Sequence, residues 1–309
     1  MYKKRKQLLA ILLALLLLIS FASCSNSTSS ASQADQTAYP LSITDDLGNQ
    51  VTIDAKPVRI VSSSPAVTEI LFALGLDEEI VGVSSSCDYP EAAKSKPQLF
   101  DYATPDVESI IAAEPDVILS DVAYGIPEDT QLLLEQSGIT IVLMTYTSIQ
   151  DVLSNITLIG QITDKNTEAA ALVEDINTQI AELTAKAQDQ QSKSVFIDVG
   201  GFYSPGEDTY LNNMITVLGA TNIAAEIGSG WVMVPVESLL EEDPDVYIDL
   251  SVNTSGDMPA ESLVQSLSAI ENSTVYTYAY SSNETSILSR PGPRIVEAMQ
   301  LLYDDIYGN

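Results

Sequence analysis

Read for its apolar and polar positions, the chain alternates between short β-branched runs and stretches in which apolar residues recur every three or four places. The runs at 59–62, 80–83, 117–119 and 139–144 read as strands, with helical patterns between them, one over 68–74 and closed by Gly75. A second series repeats the plan: strands at 195–199, 246–250 and 275–278, a helix over 210–218 closed by Gly219, and a last helix over 293–303. An edge hairpin is expected over 41–53, with Leu47, Gly48 and Asn49 near its turn. Strands alternating with helices predict parallel sheets covered by helices.

Between the two series lies the longest uninterrupted helical pattern, from about 167 to 189. Ala169, Leu172, Ile176, Ile180, Leu183 and Ala187 recur along it every three or four residues, with no Gly or Pro among them. At ~1.5 Å per residue it spans on the order of 30 Å, long enough to cross a domain. The pattern predicts two lobes joined by a stiff strut.

The lobes share a signature. Val107, Glu108, Ser109, Pro115, Asp116 and Val117 return in order as Val236, Glu237, Ser238, Pro244, Asp245 and Val246. Each copy reads as a short helix, a Pro-Asp stop and a buried strand. Val107, Ile110 and Ile111 share one face, as do Val236, Leu239 and Leu240, which turns Glu108 and Glu237 toward solvent. Thr104 with Pro105 is the expected helix start in the first copy and Pro235 in the second. A first-turn acid is worth roughly 0.3–1 kcal/mol against the helix dipole, but any acid would serve. The same residue at the same place twice points to a matched pair of acidic pegs for a basic partner.

The N-terminal residues carry an address. Lys3, Lys4, Arg5 and Lys6 form a basic head, 8–19 an apolar run, and Phe21-Ala22-Ser23-Cys24 a small-residue cleavage site that resembles a bacterial lipobox, in which Cys24 is acylated. Residues rich in Ser, Thr, Asn and Gln follow and read as a flexible tether. The expected divisions are a signal over 1–24, a tether over 25–39, an N-terminal lobe over 40–165, a linking helix over 166–190 and a C-terminal lobe over 191–309.

Charge and composition narrow the partners. The chain has 43 acidic and 13 basic residues. Four bases fall in the signal, so the processed form carries nine against 43 acids, a net of −34. Such a surface disfavours nucleic acid and anionic lipid headgroups. No His is present, which excludes His-dependent triads, HExxH zinc sites and His-ligated haem, and nothing calls for a resident cofactor. With Cys24 lipidated, Cys87 has no disulfide partner. A carboxylate-pair hydrolase is the competing enzyme reading, but the repeated Glu residues lie on different lobes and reach no common bond. A sensor or adhesion module on the same fold is a further alternative.

Several motifs carry a family likeness. Residues 59–71, beginning Arg59-Ile60-Val61-Ser62, then Cys87-Asp88-Tyr89-Pro90, the repeated Val-Glu-Ser block and Arg290-Pro291-Gly292-Pro293-Arg294 resemble solute-binding proteins of ABC importers for iron chelates, haem and cobalamin. The resemblance implies an α/β fold of two Rossmann-like lobes joined by a single long α-helix, with the ligand cleft between lobes. It implies a monomer that delivers a small-molecule metal chelate to a permease dimer with its ATPase, and no enzymatic activity. Glu108 and Glu237 match the residues that dock onto permease arginines in that family.

In open α/β sheets ligands gather beyond the carboxyl ends of the strands. Loops expected there hold Tyr102, Tyr124, Phe202, Tyr203, Trp231 and Arg290, with Ser63, Ser64 and Cys87 as further candidates. By resemblance, Tyr102 and Trp231 match pocket aromatics of the cobalamin-binding relative and Arg290 a pocket arginine, while Ser86 stands where that relative has an aromatic. Beyond six Lys, the processed chain has only Arg59, Arg290 and Arg294, few for a polyanionic tris-catecholate. Haem without a His would need Tyr or Met. A corrinoid or a hydroxamate siderophore, large and of small net charge, suits an aromatic cleft with one arginine.

Overall fold

A computed structural model describes residues 36–252 and 264–308. The expected signal, Cys24 and most of the tether lie outside the described residues. From Thr37 onward the chain forms one compact unit. The tether was expected to reach residue 39, yet the Thr37 N–H donates to the Asp164 carboxylate at 2.7 Å and the Tyr39 hydroxyl to the Ile162 carbonyl at 2.8 Å. These bonds tie the start of the body to the turn between two helices.

The hairpin is present: β1 (Leu41–Thr44) pairs antiparallel with β2 (Gln50–Ile53), from Leu41 opposite Ile53 to Thr44 opposite Gln50. Asp45 closes it by accepting the N–H groups of Leu47 and Asn49. The first large sheet uses β3 (Ile60–Ser62), β4 (Ile80–Ser84), β5 (Gln98–Asp101), β6 (Thr104–Pro105), β7 (Val117–Asp121) and β8 (Thr140–Met144), in the order β6-β5-β4-β3-β7-β8. All its pairings are parallel except β5 with β6. Every residue of β3 and β7 is buried, as expected for strands covered on both faces.

Helix α1 (Pro65–Ala73) begins three residues earlier than its apolar spacing predicts, because Ser64 caps it by accepting the Val67 N–H and Pro65 fits the first turn. Helix α2 (Val107–Ala112) is capped by Asp106, not by the expected Thr104 and Pro105. Those two form β6 instead, since the chain must first turn back against β5. Helices α3 (Glu128–Gln136) and α4 (Ile149–Thr163) complete the lobe.

Helix α5 (Asn166–Gln188) is the strut, 23 residues long. Ala169, Ile176, Leu183 and Ala187 are buried, while Leu172 and Ile180 pack partly buried at the edge of the same stripe.

The second sheet contains β9 (Ser194–Asp198), β11 (Thr221–Asn222), β13 (Val246–Val252) and β14 (Val275–Ala279), all parallel in the order β11-β9-β13-β14. A two-stranded ribbon that the apolar pattern does not predict, β10 (Tyr203–Pro205) with β12 (Trp231–Met233), stands beside it. Around these lie α6 (Tyr210–Val217), α7 (Val236–Glu242), α8 (Ser268–Glu271), α9 (Asn283–Ser289) and α10 (Ile295–Tyr307). The strut packs on α4 of the first lobe and α10 of the second.

The repeat is structural down to single bonds. Glu114 and Asp243 both adopt positive φ, 45° and 41°, immediately before Pro115 and Pro244. The Asp116 carboxylate then accepts the Val58 and Arg59 N–H groups, and Asp245 accepts the N–H and hydroxyl of Ser194. In each lobe the Pro-Asp pair thereby stitches the entry of the second core strand to that of the first. One hydrophobic cluster spans both lobes, joining Val67 and Leu71 of α1 to Leu211 and Met214 of α6 and to Leu288 and Ile295.

Candidate ligand cleft and partner surface

Tyr102, Tyr124, Phe202 and Tyr203 follow the carboxyl ends of β5, β7 and β9, and Arg290 reaches from the second lobe to the first. On the first lobe, Tyr102 follows β5 with φ of 55°, a left-handed conformation costly for a residue with a side chain. Two serines hold it there: the Ser85 hydroxyl accepts the Tyr102 N–H at 2.8 Å and the Ser84 hydroxyl donates to its carbonyl at 2.6 Å. The residue is 60 % exposed, and its ring lies 5.1 Å from that of Tyr124, centroid to centroid. Burial pushes the Tyr124 phenol well above its usual range, and the neighbouring Tyr102 and Asp121 add to the effect.

On the second lobe, the ribbon presents Tyr203, Trp231 and Met233. Tyr203 stands opposite Met233 and Pro205 opposite Trp231 in the register, and all three larger side chains are exposed. Phe202, with φ of 64°, is half-buried and packs into the core beneath the ribbon, so its place is structural. Its backbone is fixed by the N–H donating to Asp198 and the carbonyl accepting from Val234.

Arg290 does not point free into the cleft. Its guanidinium is 2.5 Å from the Asp88 carboxylate and 3.7 Å from Glu69, and it also donates to the Ser86 carbonyl. Arg294 grips the same Glu69 through two bonds of 2.8 and 2.7 Å, donates to Asn283 and lies 3.9 Å above the Tyr89 ring. Glu69, Asp88 and Tyr89 come from the first lobe and both arginines from the second. The expected pocket arginine is therefore half of a lobe-to-lobe strap. Burial opposes charge on Asp88, but the hydrogen bond and charge of Arg290 prevail and hold its carboxyl below the usual range.

Ser63, Ser64 and Cys87, further candidates for the cleft, are buried. Ser63 bonds to Ser120 and to the Asp121 N–H, Ser64 caps α1, and Cys87 accepts from the Thr68 hydroxyl. Burial pushes the Cys87 thiol up to about 11, which keeps it unreactive. Asp121, at the end of β7, is pushed up to about 6 by burial, against the Ala123 N–H and the Ser64 hydroxyl, which favour its charge.

The residues missed by sequence reasoning are Glu69, Met233 and Asp121. Glu69 left a signal, the one charged residue in a mostly apolar helix, and a buried acid there demands a cation. Met233 left none, since its exposure depends on the unpredicted ribbon. Glu108 and Glu237 are both exposed in the first turns of α2 and α7, as expected. Their companions Ile111 and Leu240, expected on the buried faces, are each 37 % exposed, and only Ile110 and Leu239 are fully buried in these short helices. Among the described residues, no group of three or more Cys, Asp or Glu is placed to hold a metal ion.

Comparison with known proteins agrees with this architecture. An uncharacterised ABC transporter substrate-binding lipoprotein of Bacillus subtilis is 29 % identical over 99 % of this chain and 98 % of its own length. A cobalamin-binding protein of Halobacterium salinarum is 27 % identical over 85 % of this chain and 73 % of its own. The crystal structure of a possible iron-binding, periplasmic solute-binding protein from Staphylococcus epidermidis superposes with a TM-score of 0.71 at 30 % identity, covering 82 % of this chain and 100 % of that one. Residues 60–280 match the family described as periplasmic binding protein, and with well over half of its length so matched the chain belongs to that family.

Proposed function

We propose that this chain is the ligand-capturing lipoprotein of an ABC importer, anchored through Cys24 on the extracytoplasmic face of the cell membrane, and that it carries a large metal chelate of small net charge. A corrinoid is the first choice and a hydroxamate siderophore the second. One observation carries the reading: exposed aromatic groups, Tyr102 against the half-buried Tyr124 on one lobe and Tyr203 with Trp231 on the other, accompany Arg290 and Arg294 neutralised by Asp88 and Glu69. Aromatic faces suit a flat or greasy chelate, and the absence of an unpaired guanidinium from this pair of arginines disfavours catecholate complexes and the two propionates of haem. The cobalamin-binding relative supports the corrinoid. Glu108 and Glu237 fit the docking role, each meeting a basic residue on one permease subunit, which steers encounter and fixes orientation.

Trp231 is the only tryptophan and is 45 % exposed, so it reports directly. Titration of the full chain with cyanocobalamin, ferrichrome and hemin is expected to quench its fluorescence saturably with the first, and Trp231→Phe to abolish the signal. Saturable quenching by hemin alone, or by none of the three, would overturn the assignment.

A further inference from the structure

Helices α2 and α7 agree in more than their acids. Over 107–112 and 236–241 the accessibility runs through the same sequence: half-buried, exposed, half-buried, buried, exposed, exposed. Ile110 and Leu239 anchor each helix with no exposure, and Ile111 and Leu240, one residue on, are each 37 % exposed. Ile111 stands three residues after Glu108 and Leu240 three after Glu237, a spacing that makes neighbours on a helix surface. Each of these apolar residues leaves more than a third of its surface to solvent, and both lobes place one beside the acid.

We infer that the importer meets two matched patches, Glu108 with Ile111 and Glu237 with Leu240, and that each patch receives a basic side chain set in an apolar collar on one of two equivalent membrane subunits. The inference rests on the transport reading and adds the groups that hold the complex together. Asp106 and Glu114 flank the first patch and Glu241, Glu242 and Asp243 the second, all exposed. Arg59 is tied to the Ala113 and Glu114 carbonyls at the far end of the first helix. The surroundings therefore repel a second copy of this chain and attract a basic partner. Repetition of the patch on two related lobes matches a partner that is itself repeated. In this arrangement the carboxylates steer and orient, an effect that salt screens, while the Ile and Leu supply contact that salt does not weaken.

The test measures binding of the full chain to its cognate permease in nanodiscs at about 50 and about 500 mM salt, on either side of strong screening. For Ile111→Ser with Leu240→Ser, the Kd is expected to rise roughly ten-fold or more at both salt concentrations, with the salt slope unchanged. Glu108→Gln with Glu237→Gln is expected to weaken binding mainly at low salt and to flatten the slope. Leu47→Ser, an exposed apolar residue on the hairpin turn, serves as the neutral control. If the Ser pair melts early, Ile111→Ala with Leu240→Ala reads the same quantity. Wild-type binding by the apolar double variants, with the acid variants impaired, would sink the inference and leave the docking reading standing. Wild-type binding by both sets would sink the docking reading as well.

Discussion

Replacing Glu69 by Ala would leave Arg294 buried without its carboxylate and would bring the Arg290 charge against it unscreened, since one Glu69 oxygen lies within 4.0 Å of both guanidinium groups. Breaking a buried pair by removing one partner costs about 3–5 kcal/mol, because the remaining charge stays desolvated. Glu69→Ala is accordingly expected to lower the thermal midpoint by several degrees or more. Asp88→Ala, whose carboxylate is half exposed, should cost under about 1 kcal/mol. Calorimetry on the two variants checks the ranking, and equal losses would contradict it. At this scale the sequence was legible by type but not by pairing. Arg290 was visible as a rare cation near a Pro-Gly turn, whereas its neutralisation depends on Glu69 and Asp88, more than 200 residues away along the chain.

Most elements were readable because apolar period and length agree. The fully buried strands β3 and β7, the strut and the hairpin all follow from runs that tertiary contacts reinforce. The ribbon β10–β12 was not readable, since its strands are three residues each and sit among Gly201, Gly206, Gly228 and Gly230, a composition that reads as loop. Those glycines are what permit it. Gly206 donates to the Gly230 carbonyl at 2.7 Å, and a Cβ at 206 would collide with the Gly228 carbonyl. Gly206→Ala is therefore expected to force the two strands apart and move Trp231, with a shifted emission maximum and a Kd for the quenching ligand raised roughly ten-fold, equivalent to about 1.4 kcal/mol. An unchanged spectrum would show that the ribbon tolerates the methyl group.

For the molecule as a whole, the buried acids set the response to pH. Burial, and the charge of Asp304 after it, push the Asp305 carboxyl up to about 7, against the Tyr278 hydroxyl that favours its charge, and Asp121 is pushed up to about 6. Acids raised in the folded state bind more protons there than when unfolded, so their contribution to stability falls as pH rises from about 4 to about 7. Asp305→Asn keeps an acceptor for the Tyr278 hydroxyl, held at 2.8 Å, and removes the titration. It is expected to raise the melting temperature at pH 8 by an amount corresponding to roughly 1–3 kcal/mol, and to flatten the stability profile between about pH 4 and 7. A melting scan in which the variant loses stability at pH 8 would refute this.

The hydrophobic cluster that runs from α1 through α6 to α10, with the Glu69–Arg294 strap above it, has an operational outcome. Under the importer reading, a carrier welded across its waist is expected to keep nearly one silhouette whether full or empty. The gatekeeper it visits then has little outline by which to tell cargo from none, and idle carriers queue beside loaded ones. Under the importer reading, overproducing the carrier while cargo is scarce should slow uptake, because vacant copies occupy the entrance.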